Sequence, residues 1–295
     1  MPSDLTRPFS PNSGTVAPVA PQEITPADEG RHRPRPGRHW EESWYLDFVA
    51  ADGSLAGYIR LGLHPADGEA WFWAGVVGGG PRLVTVRDHE VPLPPGRALE
   101  VRASGLWTEL VCETPLDHWS VGLEAFGVAL EDPLEAWRGE RGDPWALGLD
   151  VEWEGVGDCR PFPGGGGYEQ ACAVHGDVLV GAVRFQLDGS GVRTHLWGER
   201  RWDEATWWAS GHLDDGTPFS AGGTGDGPIA VGGDGLLRGG PVEADGVWLG
   251  AEAVAHSPVL LPGAGGLARA LCRYDAPDGR RGFGWAERFR PTTTA

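Results

Sequence analysis

The run Gly191-Val192-Arg193-Thr194-His195-Leu196-Trp197-Gly198-Glu199-Arg200-Arg201-Trp202-Asp203 is the richest stretch of reactive side chains in the chain. Read as a strand, residues 191–197 alternate, with Arg193, His195 and Trp197 on one face and Val192, Thr194 and Leu196 on the other. A cation, a titratable imidazole and a π face then point the same way. Inside a barrel they would line a cavity. Packing of Trp197 and pairing of Arg193 with a carboxylate is the plainer outcome of the same pattern.

Residue types remove several chemistries. All 24 basic residues are arginine, so mechanisms that need a lysine, including Schiff-base, pyridoxal-phosphate and P-loop chemistry, lack their central group. A net charge of −18 repels phosphate backbones and anionic lipid surfaces, which argues against nucleic acid as a partner. Cys112, Cys159, Cys172 and Cys272 are far apart and form no C-x-x-C pair, so buried free thiols are expected. The nine histidines are dispersed, with neither H-x-H nor H-E-x-x-H spacing, so no metal is expected, and no organic cofactor motif is present either. The opening residues carry no basic and apolar leader, and no run of eighteen apolar residues follows, which reads as a cytoplasmic protein without an integral membrane segment.

The elements that must position these residues are strands. Residues 1–38 contain eight prolines and the patch Arg31-His32-Arg33-Pro34-Arg35-Pro36, with almost no periodic apolar signal, and read as a disordered tail. From Trp40 onward, short apolar or alternating runs are separated by Asp-Gly and Gly-rich turns, the pattern of antiparallel hairpins. The pair 42–49 and 56–63 about the turn 51–54 is the first. Residues 133–142 read as a short helix or an irregular crossing. The glycine run 164–167 follows Pro161-Phe162-Pro163 and breaks any regular element, so a boundary or mobile flap is expected there. The expectation is an all-β protein with an N-terminal β domain over 39–155 and a C-terminal β domain over 156–295, each a small barrel or sandwich.

The run at 193–200 resembles the Arg-Asp-His-Ser-Trp-Gly-x-Arg pattern of a bacterial family allied to carotenoid hydratase (hydroxyneurosporene synthase) and the AttH-like proteins. Glu42-Ser43-Trp44-Tyr45 with Gly57-Tyr58-Ile59-Arg60, Tyr168-Glu169-Gln170 with Val174-His175-Gly176, and Gly282-Phe283-Gly284-Trp285-Ala286-Glu287 are similar to that family's other strands. The resemblance implies two consecutive lipocalin-like, calycin-type antiparallel β-barrels holding a small hydrophobic molecule of isoprenoid, steroid or polyketide-like type. It also implies possible family activities: cofactor-free hydratase, isomerase or cyclase chemistry. Carried over residue by residue, it marks Glu169 and His195 as catalytic candidates and Arg193, Trp197, Arg200 and Gln170 as ligand-binding candidates, with the neighbouring Trp202 added to that set. Thr194 stands where the family has Asp, and Leu196 where it has Ser. Hydration needs an acid to protonate a double bond and a π face to steady the resulting charge, roles for Glu169 or His195 and for Trp197.

Two other readings use the same residues. Trp71, Trp73, Trp107, Trp119, Trp202 and the Trp207-Trp208 pair would serve as platforms for sugar rings, with Glu152 and Glu154 flanking Trp153, or Asp203 and Glu204, as carboxylates of a glycoside-active site. A carrier that binds an apolar metabolite without transforming it needs only the cavity.

Overall fold

The structure, a computed structural model, describes residues 23–37, 39–162, 166–200 and 202–292. Its strands are β1 (Trp40–Ala50), β2 (Ala56–His64), β3 (Glu69–Val77), β4 (Leu83–Pro92), β5 (Leu99–Ala103), β6 (Leu106–Thr114), β7 (His118–Leu130), β8 (Asp143–Gly155), β9 (Arg160–Pro161), β10 (Gly167–Val180) and β11 (Val183–Glu199) in one sheet. A second sheet holds β12 (Thr206–Leu213), β13 (Pro218–Thr224), β14 (Ala230–Val231), β15 (Leu237–Ala244), β16 (Val247–His256), β17 (Val259–Leu261), β18 (Gly265–Asp275) and β19 (Arg281–Pro291). All pairings are antiparallel. The protein is all-β, and the segment Pro133–Arg138 is a 3-10 turn capped by Asp132.

Pairing of β4 with β7 closes the first sheet into a ring running β1-β2-β3-β4-β7-β8-β10-β11 and back to β1. The second sheet follows an open path from β13 through β12, β19, β18, β16 and β15 to β14. Residues 40–49 are buried without exception, because both faces of β1 are covered. Trp44, Leu46 and Phe48 fill the ring's core; Tyr45 and Val49 point outward. There they pack with Tyr58 and Trp73 against Leu267, Leu271, Trp285 and Phe289 of the second sheet. The Tyr58 hydroxyl and Ser257 Oγ, 2.7 Å apart, tie the two layers with a buried hydrogen bond.

Two expectations change. The sheets divide between β11 and β12, not at residue 155, because β10 and β11 pair with β8 and β1 and complete the ring. Glycines inside β10 and β11 sit where neighbouring strands approach: a Cβ on Gly176, whose φ is +142°, would lie 2.2 Å from the Asp150 carbonyl oxygen, and one on Gly191 would lie 2.0 Å from that of Asp47. They permit close strand approach instead of a turn. Residues 23–37 are also not a loose tail, since Glu29 is buried within the ring and Arg31 donates to the carbonyls of Pro94 and Gly96. The expectation for residues 1–22 lies outside the described residues, as do residues 164 and 165 of the expected flap.

Candidate functional site

Between the two sheets lies a cavity of about 660 Å³. Its floor is the outer face of the ring: Ser43 and Tyr45 from β1, Arg60 from β2, Trp73 from β3, Glu169 from β10, and Thr194 and Leu196 from β11. Trp207 and Trp208 from β12, Ser220 to Thr224 from β13, Leu267 and Arg269 from β18 and Glu287 from β19 form the opposite wall. Arg160 and Phe162 stand at one side; Arg200 and Trp202, on the connection between the sheets, stand at another. The volume suits a drug-sized molecule, and four indoles, Trp73, Trp202, Trp207 and Trp208, stand in its walls.

Glu169 is the buried acid of this cavity. Its Oε2 accepts a hydrogen bond from Ser220 Oγ at 2.8 Å, and Arg160 stands 3.8 Å from Oε1. Burial pushes its pKa up, against the lowering influence of Ser220 and Arg160. Three of the four cavity arginines are matched by carboxylates. Arg60 pairs with Glu41 and lies 4.4 Å from the Trp73 ring centre; Arg160 pairs with Asp245 at 3.1 Å; Arg269 pairs with Glu287 at 2.6 Å and bonds the Tyr45 hydroxyl. Arg200 lies over Trp202 at 4.1 Å and makes no ion pair among the described residues. Trp202 is itself fixed by a bond from Nε1 to Glu41 Oε2 at 3.0 Å.

The other face of β11 looks into the ring, where a second polar group gathers. Arg193 donates to both oxygens of Glu29 (2.8 and 3.1 Å), to the Tyr168 hydroxyl at 3.0 Å and to Gln170 Oε1 at 2.8 Å. Glu29 also accepts from Trp119 Nε1, the Tyr168 hydroxyl and the Leu116 amide. Burial works to raise the Glu29 pKa, but the bonds and charge of Arg193 outweigh it and hold the carboxylate ionised. Nearby, Glu42 Oε1 lies 3.0 Å from His195 Nε2 and 2.8 Å from His32 Nδ1. His195 stacks on Trp44, and His32 on Trp197 at 4.0 Å. Burial lowers the His195 pKa in spite of Glu42, whereas Glu42 and Asp28 raise that of His32 against its burial.

The alternation read for 191–197 therefore exists, but its two faces serve different places. Arg193, Gln170, His195 and Trp197 belong to the ring interior and do not line the cavity; Glu169, Arg200 and Trp202 do. Thr194 and Leu196, the two positions that depart from the family pattern, are the ones that face the cavity. Sequence reading missed Tyr45, Arg60, Ser220, Arg269 and Glu287. The available signal was β1 and β2, whose near-continuous apolar character with embedded Tyr45 and Arg60 betrays strands covered on both faces. Among the proposed sugar platforms, Trp73 and Trp119 are buried and offer no flat exposed ring, and Trp153, between the candidate carboxylates, is buried as well.

A closed antiparallel ring joined to a second antiparallel sheet, with a ligand-sized aromatic cavity between them, defines a two-unit lipocalin-like β protein. The chain belongs to the family described as domain of unknown function (DUF7064), whose model matches residues 25–247 and so takes in the segment carrying Glu29 and His32. No curated protein matches it by sequence. Among solved structures it is similar to an AttH candidate from Nitrosomonas europaea, with TM-score 0.63 and 13% identity over 93% of this chain and 99% of that one. It is also similar to CghA (TM-score 0.54, 10% identity, 94% of this chain and 96% of that chain) and to kievitone hydratase from Nectria haematococca (TM-score 0.54, 10% identity, 85% and 89%). At such identities the likeness shows a shared fold, in keeping with the AttH- and hydratase-like resemblance. Among the described residues no helix is long and apolar enough to cross a membrane.

Proposed function

We propose that the cavity between the sheets binds a small, largely apolar molecule bearing one electron-rich oxygen, and that Glu169 moves a proton on it in a hydratase-like reaction. The observation that carries this reading is the placement of one buried, protonatable carboxyl in an indole-walled cavity whose arginines outnumber its acids. Arg60, Arg160 and Arg269 are neutralised by carboxylates, but Arg200 has no ion pair among the described residues and disfavours a free carbocation beside it, so addition of water to an isolated double bond fits poorly. Arg200 favours negative charge on a carbonyl oxygen, which points to a carbonyl-conjugated double bond.

In that reaction the oxygen of water bonds to the far carbon of the double bond, and the electron pair moves onto the carbonyl oxygen, held by Arg200. Protonated Glu169 then delivers its proton to the near carbon. Its carboxylate takes the surplus proton from the added water, which restores the acid. The relatives named as hydratase and CghA support the reading by fold alone.

The test begins with native mass spectrometry of protein purified from its own source, to recover a retained ligand. That ligand is incubated with the protein in heavy-oxygen water. Uptake of heavy oxygen by wild type and its loss in Glu169→Gln, with binding retained, is the expected result. Retention of an unaltered ligand by both proteins would leave a carrier and remove the enzyme.

A further inference from the structure

We infer that His32, Glu42 and His195 form a binding site for one divalent transition-metal ion, best suited to zinc, which clamps the segment 23–37 onto the ring. The three ligands come from sequence positions too far apart to form any motif. Strand register brings two together: His195 pairs with Trp44 across β1 and β11, so Glu42, two residues from Trp44, is its diagonal neighbour on the same face. The segment before β1 brings the third, with the His32 amide and ring both bound to the Glu42 carboxylate.

One atom from each residue, taken together, lies within 4.8 Å of the others. The shortest separations, from Glu42 Oε1 to His32 Nδ1 and His195 Nε2, are 2.8 and 3.0 Å. Tetrahedral zinc with bonds of about 2.0–2.1 Å sets its donors about 3.4 Å apart, so the two Glu42 contacts would lengthen by about 0.4–0.6 Å, while the two imidazoles already lie within 4.8 Å of each other. Two imidazoles and one carboxylate are a zinc donor set that leaves a fourth position for water. Outer groups fit as well. Asp28 Oδ1 stands 3.5 Å from His32 Nε2, placed to accept its proton once Nδ1 holds metal, and Trp44 and Trp197 stack on the two imidazoles and fix their planes. This site faces the ring interior, away from Glu169 and the cavity, and does not depend on the function proposed above.

A second group, Glu152, Glu154 and His175, also brings three donors together, but Glu154 and His175 are exposed and Glu152 is only half-buried. It serves as the control. Protein stripped with chelator and dialysed is titrated with zinc, and with cobalt to read the visible bands of tetrahedral coordination. One equivalent is expected to bind to wild type and to His175→Ala, with affinity at least about 100-fold weaker in His32→Ala, beyond the 10–100-fold cost of losing an outer-shell partner. X-ray absorption of wild type carrying one equivalent of zinc is expected to show two imidazoles, a reading independent of any variant. Metal loading should also protect the backbone of residues 23–37 from protease. Binding unchanged in His32→Ala, binding lost only in His175→Ala, or fewer than two imidazoles on the bound zinc would each overturn the inference.

Discussion

Asp47 shows how a single side chain records the stacking of the two sheets. It points outward from β1 into the layer between them, accepts from the Val192 amide and the Tyr45 hydroxyl, and is 3% exposed. Burial pushes its pKa up to about 6, although those bonds and Arg269 pull the other way. The folded protein therefore holds the proton more tightly than the unfolded chain, where a carboxyl titrates near its ordinary value of 3.8. Stability contributed by this proton is present at acid pH and declines as pH rises from about 4 through 6, by about 3 kcal/mol. Asp47→Asn, which mimics the protonated acid, should flatten that part of the curve; urea midpoints of wild type and variant across pH 4–7 check it. Glu169 is displaced in the same direction, with a different consequence. If it is the proton donor, turnover of the recovered ligand should fall as pH rises through its raised pKa, and Glu169→Gln should lose about 100- to 10,000-fold in rate. An unchanged pH profile in that variant would assign the proton elsewhere. Arg200→Gln should weaken a carboxylate-bearing probe such as dodecanoate far more than dodecanol, measured by displacement of a fluorescent apolar dye. Equal losses would mean that the guanidinium reads no anion.

At the scale of elements, the segment 23–37 and strand β11 explain each other. Alternation over 191–197 was legible, because period-2 spacing follows from strand geometry alone. Which face looked into a cavity was not, since that depends on β1, β10 and a second sheet far away in sequence. The segment before β1 was misread for a related reason. It contributes almost no apolar periodicity, and its docking rests on polar groups, Glu29 on Arg193 and His32 on Glu42, whose partners no local pattern reveals. Composition rich in proline describes what a segment cannot bury by itself; it is silent about a carboxylate that completes another element's buried cation. Glu29→Ala would leave Arg193 charged and unpaired inside the ring, so a loss of about 3–5 kcal/mol is expected in chemical denaturation. Deleting residues 1–36 should cost at least as much. A melting temperature unchanged by that deletion would show that the buried pair contributes nothing net. Replacing Glu29 and Arg193 together by Gln and Met should recover part of the loss, because the uncompensated charge is gone.

Across the whole molecule, the layer between the sheets decides whether the protein is one folding unit or two. Turn chemistry and strand-length runs made two β units legible, yet the glycine run at 164–167 drew the division too early. Glycine permits a break, but β10 pairs with β8 directly after it and carries the chain back into the ring. The two sheets also share one apolar layer. Tyr45, Val49, Tyr58, Trp73 and Leu83 on one side meet Leu267, Leu271, Trp285 and Phe289 on the other, and Arg269 stacks between Tyr45 and Tyr58 at 4.5 and 4.1 Å. Separating the sheets would bare this layer and the cavity walls, a contiguous apolar face of the kind that monomeric proteins rarely expose. Thermal unfolding should then be a single transition, with near-ultraviolet and far-ultraviolet signals coincident. Trp285→Ala, a truncation of a fully buried side chain in that layer, tests the coupling. It should cost about 3–5 kcal/mol and move both signals together, although the residue belongs only to the second sheet. If the ring kept its original midpoint while the second sheet melted early, the two sheets would be independent units, and the cavity would be a joint that opens at modest cost.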